Sequence, residues 1–255
     1  MRLLFVGDVV GYIGCAFLWD NLKQIKRDHK VDIIAVNGEN SAVGNGITKK
    51  SAEHIFNSGA DVITTGNHAF KRKECNEVFT MPNILRPINF PEGVQGRGVT
   101  VLDLGKVQIA VINLMGISFM EPIDNPFFKI DEVLKTIETP NIFVDFHAEA
   151  TAEKKSMGYY LAERVTALVG THTHVQTNDS QILCGHTGYI TDIGMTGSEE
   201  SVIGVEIELA ISRQKYHTPV QFKEATEKPF LNAVLIEFDE KTGICTKIQK
   251  IIKRN

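Results

Sequence analysis

Cysteine is scarce in this chain of 255 residues, and the four present (Cys15, Cys75, Cys184 and Cys245) lie far apart with no C-x-x-C spacing. That pattern argues against a disulfide scaffold and reads as reduced, mostly structural thiols in a cytoplasmic protein. Long apolar runs are missing as well. None approaches the roughly 20 residues needed to span a bilayer, and the opening Leu3 to Val6 breaks at Gly7-Asp8 without the small-residue cleavage site of a signal peptide. Positive charge is not in excess: Lys and Arg number 27 against 31 Asp and Glu, for a formal net charge of -4. With no basic stripe, a polymeric nucleic-acid partner is not expected. Neither a low-complexity linker nor an internal repeat divides the chain, so residues 1–255 read as one domain. A dinucleotide fold is excluded because Gly7-Asp8-Val9-Val10-Gly11 lacks G-x-G-x-x-G.

What is present is an alternation of strand and helix signals. Leu3 to Val6 is an apolar run suited to a strand buried on both faces, and Phe17, Leu18, Leu22 and Ile25 then recur at helical spacing. Asp32 to Val36 reads as a second strand, Thr48 as the N-cap of a second helix, and Asp61 to Thr65 as a third strand. This rhythm implies a parallel sheet. Further on, Gly98 to Leu104 and Val107 to Asn113 flank Gly105-Lys106 as a hairpin, so the sheets are expected to be mixed. Asn141 to Phe146 and Ala167 to Val169 read as strands around a helix spanning Thr151 to Val165, along one face of which lie Ala152, Lys155, Tyr159 and Ala162. Residues 201–212 are expected to be helical, and Leu231 to Phe238 with Ile244 to Ile252 form a closing hairpin.

The chemistry-bearing residues sit in one kind of place. Asp8, Glu39, Asn40, Asn67, His68, His147, His172 and His174 each fall just after an apolar strand. Ligands of α/β sheets bind beyond the carboxyl ends of strands, so residues far apart in sequence can converge there. Any one of them has an ordinary alternative: a helix cap for Asp8 or Asn40, a turn for Asn67-His68, a core-edge histidine for His147. With His68 set aside, they offer four carboxylate or carboxamide oxygens and three imidazoles, too many for one tetrahedral ion and suited to two metals sharing a bridging carboxylate. Mixed oxygen and nitrogen donors without thiolate favour Fe or Mn, with Zn also open. His29, His54, His186 and His217 lie in polar or helical settings and are read as ordinary surface histidines.

The runs Val36-Asn37-Gly38-Glu39-Asn40, Thr65-Gly66-Asn67-His68, Asp145 to Thr151 and Thr191 to Gly197 resemble the YmdB-like subfamily of the calcineurin-like metallophosphoesterases. The resemblance implies a four-layer αββα sandwich with a di-metal centre. It places Asp8, Glu39, Asn40 and His174 on one metal and Glu39, Asn67, His147 and His172 on the other, with Glu39 bridging. It further implies a phosphodiesterase acting on small phosphodiesters, cyclic nucleotides such as 2',3'-cyclic AMP among them. Attack there is by a metal-bridging hydroxide, and His68 assists the leaving group. A phosphomonoesterase or nucleotidase, or a weakly active nucleotide-binding regulator, is the alternative. The resemblance also suggests Thr196 and Gly197 as substrate contacts and a homo-oligomer. From the residues themselves, Asp145 and Asp192 are candidates for holding ligand imidazoles in one tautomer, with a solvent-facing strand carboxylate the alternative for Asp145. Two features depart from the broad superfamily: Asp8-Val9-Val10 replaces Asp-x-His, and Glu39 replaces the usual bridging Asp. Both are shared with the subfamily. Ala69-Phe70-Lys71-Arg72, where the subfamily tends to carry a Trp-Asp-like pair, implies an altered pocket beside His68.

Overall fold

The structure, a computed structural model, describes residues 1–255. In chain order the elements are β1 (Arg2–Val6), β2 (Asp8–Val9), α1 (Gly11–Asp28), β3 (Ile33–Asn37), α2 (Lys49–Ser58), β4 (Val62–Thr64), α3 (Cys75–Val78), β5 (Val99–Asp103) and β6 (Gln108–Met115). They continue with α4 (Pro126–Leu134), β7 (Ile142–His147), α5 (Thr151–Tyr160), β8 (Ala167–Thr171), β9 (Gln181–Leu183), β10 (Thr187–Ile190), β11 (Met195–Ser198), α6 (Ile207–Tyr216), β12 (Pro229–Phe238) and β13 (Cys245–Arg254).

Two mixed sheets result. The first runs β2-β11-β12-β1-β3-β4 with β13 beside β12, and the second runs β5-β6-β7-β8-β10-β9. In the first, β1, β3 and β4 are parallel neighbours while β12 lies antiparallel to β1. In the second, β6, β7 and β8 are parallel and β5 pairs with β6 as the expected hairpin.

Strand alternation explains how these sheets stack. Leu3 and Phe5 of β1 face inward and meet Phe143 and Val169 of the second sheet; Leu4 and Val6 face outward onto Phe17, Leu18 and Leu22 of α1. Ile109 and Val111 of β6 join the inner layer, whereas Ala110, Ile112 and Leu114 pack outward with Met157 of α5. Three apolar layers thus separate helices, sheet, sheet and helices, which is the four-layer αββα sandwich. Each fully buried Phe, Ile or Val in such a layer contributes about 1.5–3 kcal/mol. The inner layer ends in polar ties at the carboxyl end of the strands. Asp145 of β7 accepts from Thr64 Oγ1 at 2.5 Å and from Asn37 Nδ2 at 3.2 Å, so the second sheet is bonded to β4 and β3 of the first. Asn113 of β6 forms a pair of 3.0 Å bonds with the backbone of Thr65.

Helix α2 starts at Lys49 with the Thr48 side chain accepting from Ser51 N, as the capping signal predicts. Several expectations need correction. Asp8 lies in a two-residue strand paired with β11 and not in a loop. Helix α5 stops at Tyr160, short of Val165, and the face shared by Ala152, Lys155 and Tyr159 is its solvent side; Glu153, Lys154 and Met157 are buried. Residues 201–206 form turns, with Ile203 and Gly204 at positive φ, so the helix begins only at Ile207. The short strands β9, β10 and β11 carry too few residues to show a period in the sequence. No helix is long and apolar enough to cross a membrane.

Candidate metal centre

Both sheets end at one place, and the strand-end residues meet there. Asp8 comes from β2, Glu39 and Asn40 follow β3, Asn67 and His68 follow β4, His147 closes β7, and His172 and His174 follow β8. Close approach is needed where β4 ends. A Cβ on Gly66 would fall 2.2 Å from the His147 ring, so only glycine lets the two sheets' strand ends come together there.

Each of the three imidazoles has its outer nitrogen on an oxygen acceptor. His147 Nδ1 lies 2.9 Å from Thr171 Oγ1, whose own hydroxyl donates to Asp145 Oδ1 at 2.7 Å. A hydroxyl that donates to a carboxylate must accept from the imidazole, so Nδ1 carries the proton. His172 places Nε2 3.0 Å from Glu149 Oε2, and His174 places Nδ1 2.8 Å from the carbonyl of Ile203. These partners assign one tautomer to each neutral ring and leave a bare nitrogen facing inward.

What those nitrogens face is more acceptors. His147 Nε2 lies 2.9 Å from Asn67 Oδ1, 3.3 Å from Glu39 Oε1 and 3.0 Å from His172 Nδ1. His174 Nε2 lies 3.7 Å from Asp8 Oδ1, an oxygen that is buried and has no hydrogen-bond partner. Glu39, His147 and His172 alone bring three ligand atoms within 4.8 Å of one another. A buried cluster this rich in acceptors is unfavourable and is resolved by a cation, whether a proton or a metal ion. Glu39, His147 and His172 therefore fit a metal site.

The electrostatics agree. Burial pushes the Glu39 carboxyl upward, but His147 and His68 outweigh it and hold the group well below the ordinary carboxylate range. Burial opposes charge on His147, yet Glu39, Asp8 and Asp145 push its pKa up to about 9, so a proton is drawn to the place a metal fits. Burial and the neighbouring His147 push His172 down to about 3. Asp8 is raised by burial against the pull of His174 and His147. Asp145 is pushed up to about 6 by burial, against the hydrogen bonds from Thr64 and Thr171.

His68 stands apart from this cluster. Its Nδ1 sits 3.1 Å from Glu39 Oε1 and 2.8 Å from Asn40 Oδ1, and its backbone N–H donates to Glu39 Oε2, so Nε2 is the free end of a side chain that is 23% exposed. Asn40 points its nitrogen at Glu39 Oε1 (3.1 Å) and His174 Nε2 (3.3 Å), so serving as a ligand requires its amide to turn over. Three expectations fare differently. Asp145 reaches His147 only through Thr171. Asp192 touches no imidazole; it binds Lys154, Thr173 and Gly194. Thr196 and Gly197 lie inside β11 and are buried, paired to Leu231 and Phe230, so they offer no surface to a substrate. The sequence reading missed Thr171 and gave Glu149 no role. Thr171's position between Gly170 and His172 at a strand's carboxyl end was the available signal.

A four-layer αββα sandwich with oxygen and nitrogen donors gathered where its sheets end defines a metallophosphoesterase, a hydrolase of phosphate esters. The fold is shared with the calcineurin-like phosphoesterase YfkN of Bacillus subtilis (TM-score 0.58, 10% identity, 100% of this chain and 90% of that one). The chain belongs to the YmdB-like protein family, whose model matches residues 4–251. It is 45% identical over 255 residues to a 2',3'-cyclic-nucleotide 2'-phosphodiesterase of Bacillus subtilis (strain 168), covering 99% of this chain and 97% of that protein. The crystal structure of a phosphatase from Mycoplasma pneumoniae superposes with TM-score 0.94 at 32% identity, covering 100% of this chain and 93% of that one.

Proposed function

We propose that the protein hydrolyses small phosphodiesters, 2',3'-cyclic nucleotides foremost, at a centre of two metal ions held by Asp8, Glu39, Asn40 and His174 on one side and Glu39, Asn67, His147 and His172 on the other. The observation that carries this reading is the set of three imidazoles, each tied by its outer nitrogen to an oxygen acceptor and each turning its other nitrogen inward: His147 toward Asn67 and Glu39, His172 toward His147, and His174 toward the unpartnered Asp8 Oδ1. When bound, the metals supply charge neutralisation for the phosphate oxygens and an acidified water at neutral pH. Fe or Mn suits this donor set best, with Zn also compatible.

The chain's own residues do the rest. His68, held through Nδ1 and its backbone N–H by Glu39, keeps Nε2 directed outward, where its imidazolium form donates a proton to the leaving oxygen. One water is consumed: its oxygen bonds to phosphorus, the ring P–O bond to one ribose oxygen breaks, and the proton is delivered to that oxygen. A cavity of about 330 Å³ lined by His174, Gln176, Ile203 and Asn232 opens beside the centre and suits a ligand of nucleotide size. The same reading takes the whole chain as one domain forming a homo-oligomer, with the four unpaired thiols supporting a cytoplasmic location.

The test is an assay of chelator-treated protein against 2',3'-cyclic AMP and bis-p-nitrophenyl phosphate, with and without added Mn²⁺. The expected result is Mn-dependent release of a nucleoside monophosphate from the cyclic substrate. Metal binding with no hydrolysis of either diester overturns the reading in favour of a regulator, and faster release of phosphate from monoesters favours a phosphomonoesterase.

A further inference from the structure

Behind the metal centre lies a fully buried ion pair that the chemistry above does not use. Lys154 projects from α5 past Gly170, where an added Cβ would come within 3.1 Å of Lys154 Cδ and 1.8 Å of the Thr191 carbonyl. Its ammonium donates to Asp192 Oδ2 and to the backbone oxygen of Thr171, both at 2.7 Å. Asp192 Oδ2 accepts two more bonds, from Thr173 N at 3.0 Å and Thr173 Oγ1 at 2.8 Å, while Oδ1 takes Gly194 N at 2.8 Å.

Thr173 is the residue between the two outer histidines, and the turn it occupies is an unusual one. His172 has φ of 102° and His174 φ of 64°, both in the left-handed region that residues with a Cβ adopt only at a cost. Such conformations persist where the surroundings over-determine them. Here the surroundings are the Asp192 carboxylate, which grips Thr173 through backbone and side chain, and Lys154, which neutralises that carboxylate and pins the preceding Thr171. Thr171 is the residue whose hydroxyl orients His147. One ammonium thus braces the backbone behind all three imidazoles.

A buried ion pair is a poor way to gain stability alone, since an apolar pair of equal volume does as well or better. Its distinctive capacity is directional. We propose that Lys154 and Asp192 are positioning residues that hold the His172-Thr173-His174 turn in its metal-binding shape, so that the imidazole half of the centre is formed before metal arrives. This rests on the reading of His172 and His174 as ligands.

The experiment titrates chelator-treated, full-length protein with Mn²⁺, followed by electron paramagnetic resonance, alongside circular dichroism melts of the metal-free state. Lys154→Met is expected to weaken Mn²⁺ binding by about 10–100-fold, the usual effect of losing a group behind a ligand. Thr173→Ala, which leaves the buried pair intact, is expected to weaken it a few-fold, as for one hydrogen bond. His172→Ala serves as the reference. If it binds Mn²⁺ as the parent does, the ligand reading fails and this proposal with it. If it loses an ion while Lys154→Met and Thr173→Ala keep parental affinity, the ligand reading stands and the positioning role is overturned. A lowered melting temperature with unchanged affinity overturns it equally. Should Lys154→Met fail to fold, Thr173→Ala decides alone: parental affinity overturns the proposal and a few-fold loss supports it.

Discussion

The centre has two halves of different composition. The first sheet, through β2, β3 and β4, contributes oxygens: Asp8, Glu39, Asn40 and Asn67. The second, through β7 and β8, contributes only nitrogens: His147, His172 and His174. The oxygen half brings negative charge that is expensive to bury, seen in the unpartnered Asp8 Oδ1. The nitrogen half brings neutral rings that need an outer acceptor to fix which nitrogen is bare. The support behind each differs accordingly. The rings are backed by Thr171, Glu149 and the Ile203 carbonyl, whereas the carboxylates lean on the imidazoles across the gap. Neither half is a metal site alone, and the inner apolar layer with its polar ties through Asp145 and Asn113 is what brings them together.

Breaking the contact between halves should have the largest effect. Glu39 reaches His147 Nε2 across the gap at 3.3 Å and also holds His68. Glu39→Gln is expected to strip both metals and lower turnover by at least roughly 10²–10³-fold, as for loss of a preorganised charge at a reacting centre; elemental analysis and kcat measure the two effects. His68→Ala separates chemistry from assembly. It should retain both metals and lose about 10²-fold in kcat, the lower end for a proton donor, and a variant with full activity or without metal would remove His68 from that role.

Loosening the layer between the halves comes next. Phe143 is fully buried there, edge-on to Phe238 with ring centroids 5.0 Å apart. Phe143→Ala should cost about 3–5 kcal/mol of stability, read as a lower urea midpoint in the metal-free protein. The smallest effect concerns thiols, which lie in neither half. Burial pushes Cys15 up to about 12 and Cys245 up to about 11, Cys75 is also buried, and Cys184 is exposed. Brief treatment of the folded protein with iodoacetamide at pH 8 should label Cys184 alone, without loss of metal, as read by peptide mass spectrometry. Labelling of Cys15 would show that the layer under α1 opens.

Period and punctuation carry far in this chain. The apolar runs at Leu3, Ile33, Ile109, Phe143 and Ala167 are long enough, and uniform enough, to declare themselves as buried strands, and every metal candidate except Asn67, which follows the shorter run at Val62, comes at the end of one of them. Local backbone physics determines such features, so they survive in one dimension. Three kinds of feature do not. Strands of two to four residues such as β2 and β11 exist because a partner supplies their hydrogen bonds, so Asp8 read as a loop residue and Thr196 as an accessible one. Second, Asp192 follows a strand as the ligands do, yet it turns from the imidazoles to Thr173, because Lys154 of α5 sits beneath it. Third, the direction of each histidine's lone pair depends on acceptors up to 29 residues away, as in His174 and Ile203. The sequence alone determined that carboxylates, amides and imidazoles stand at the ends of buried strands. Tertiary structure alone decided which nitrogen of each ring is bare, which oxygen is left unpaired, and which ion pair holds the turn between the last two histidines, because those depend on contacts made across the two sheets.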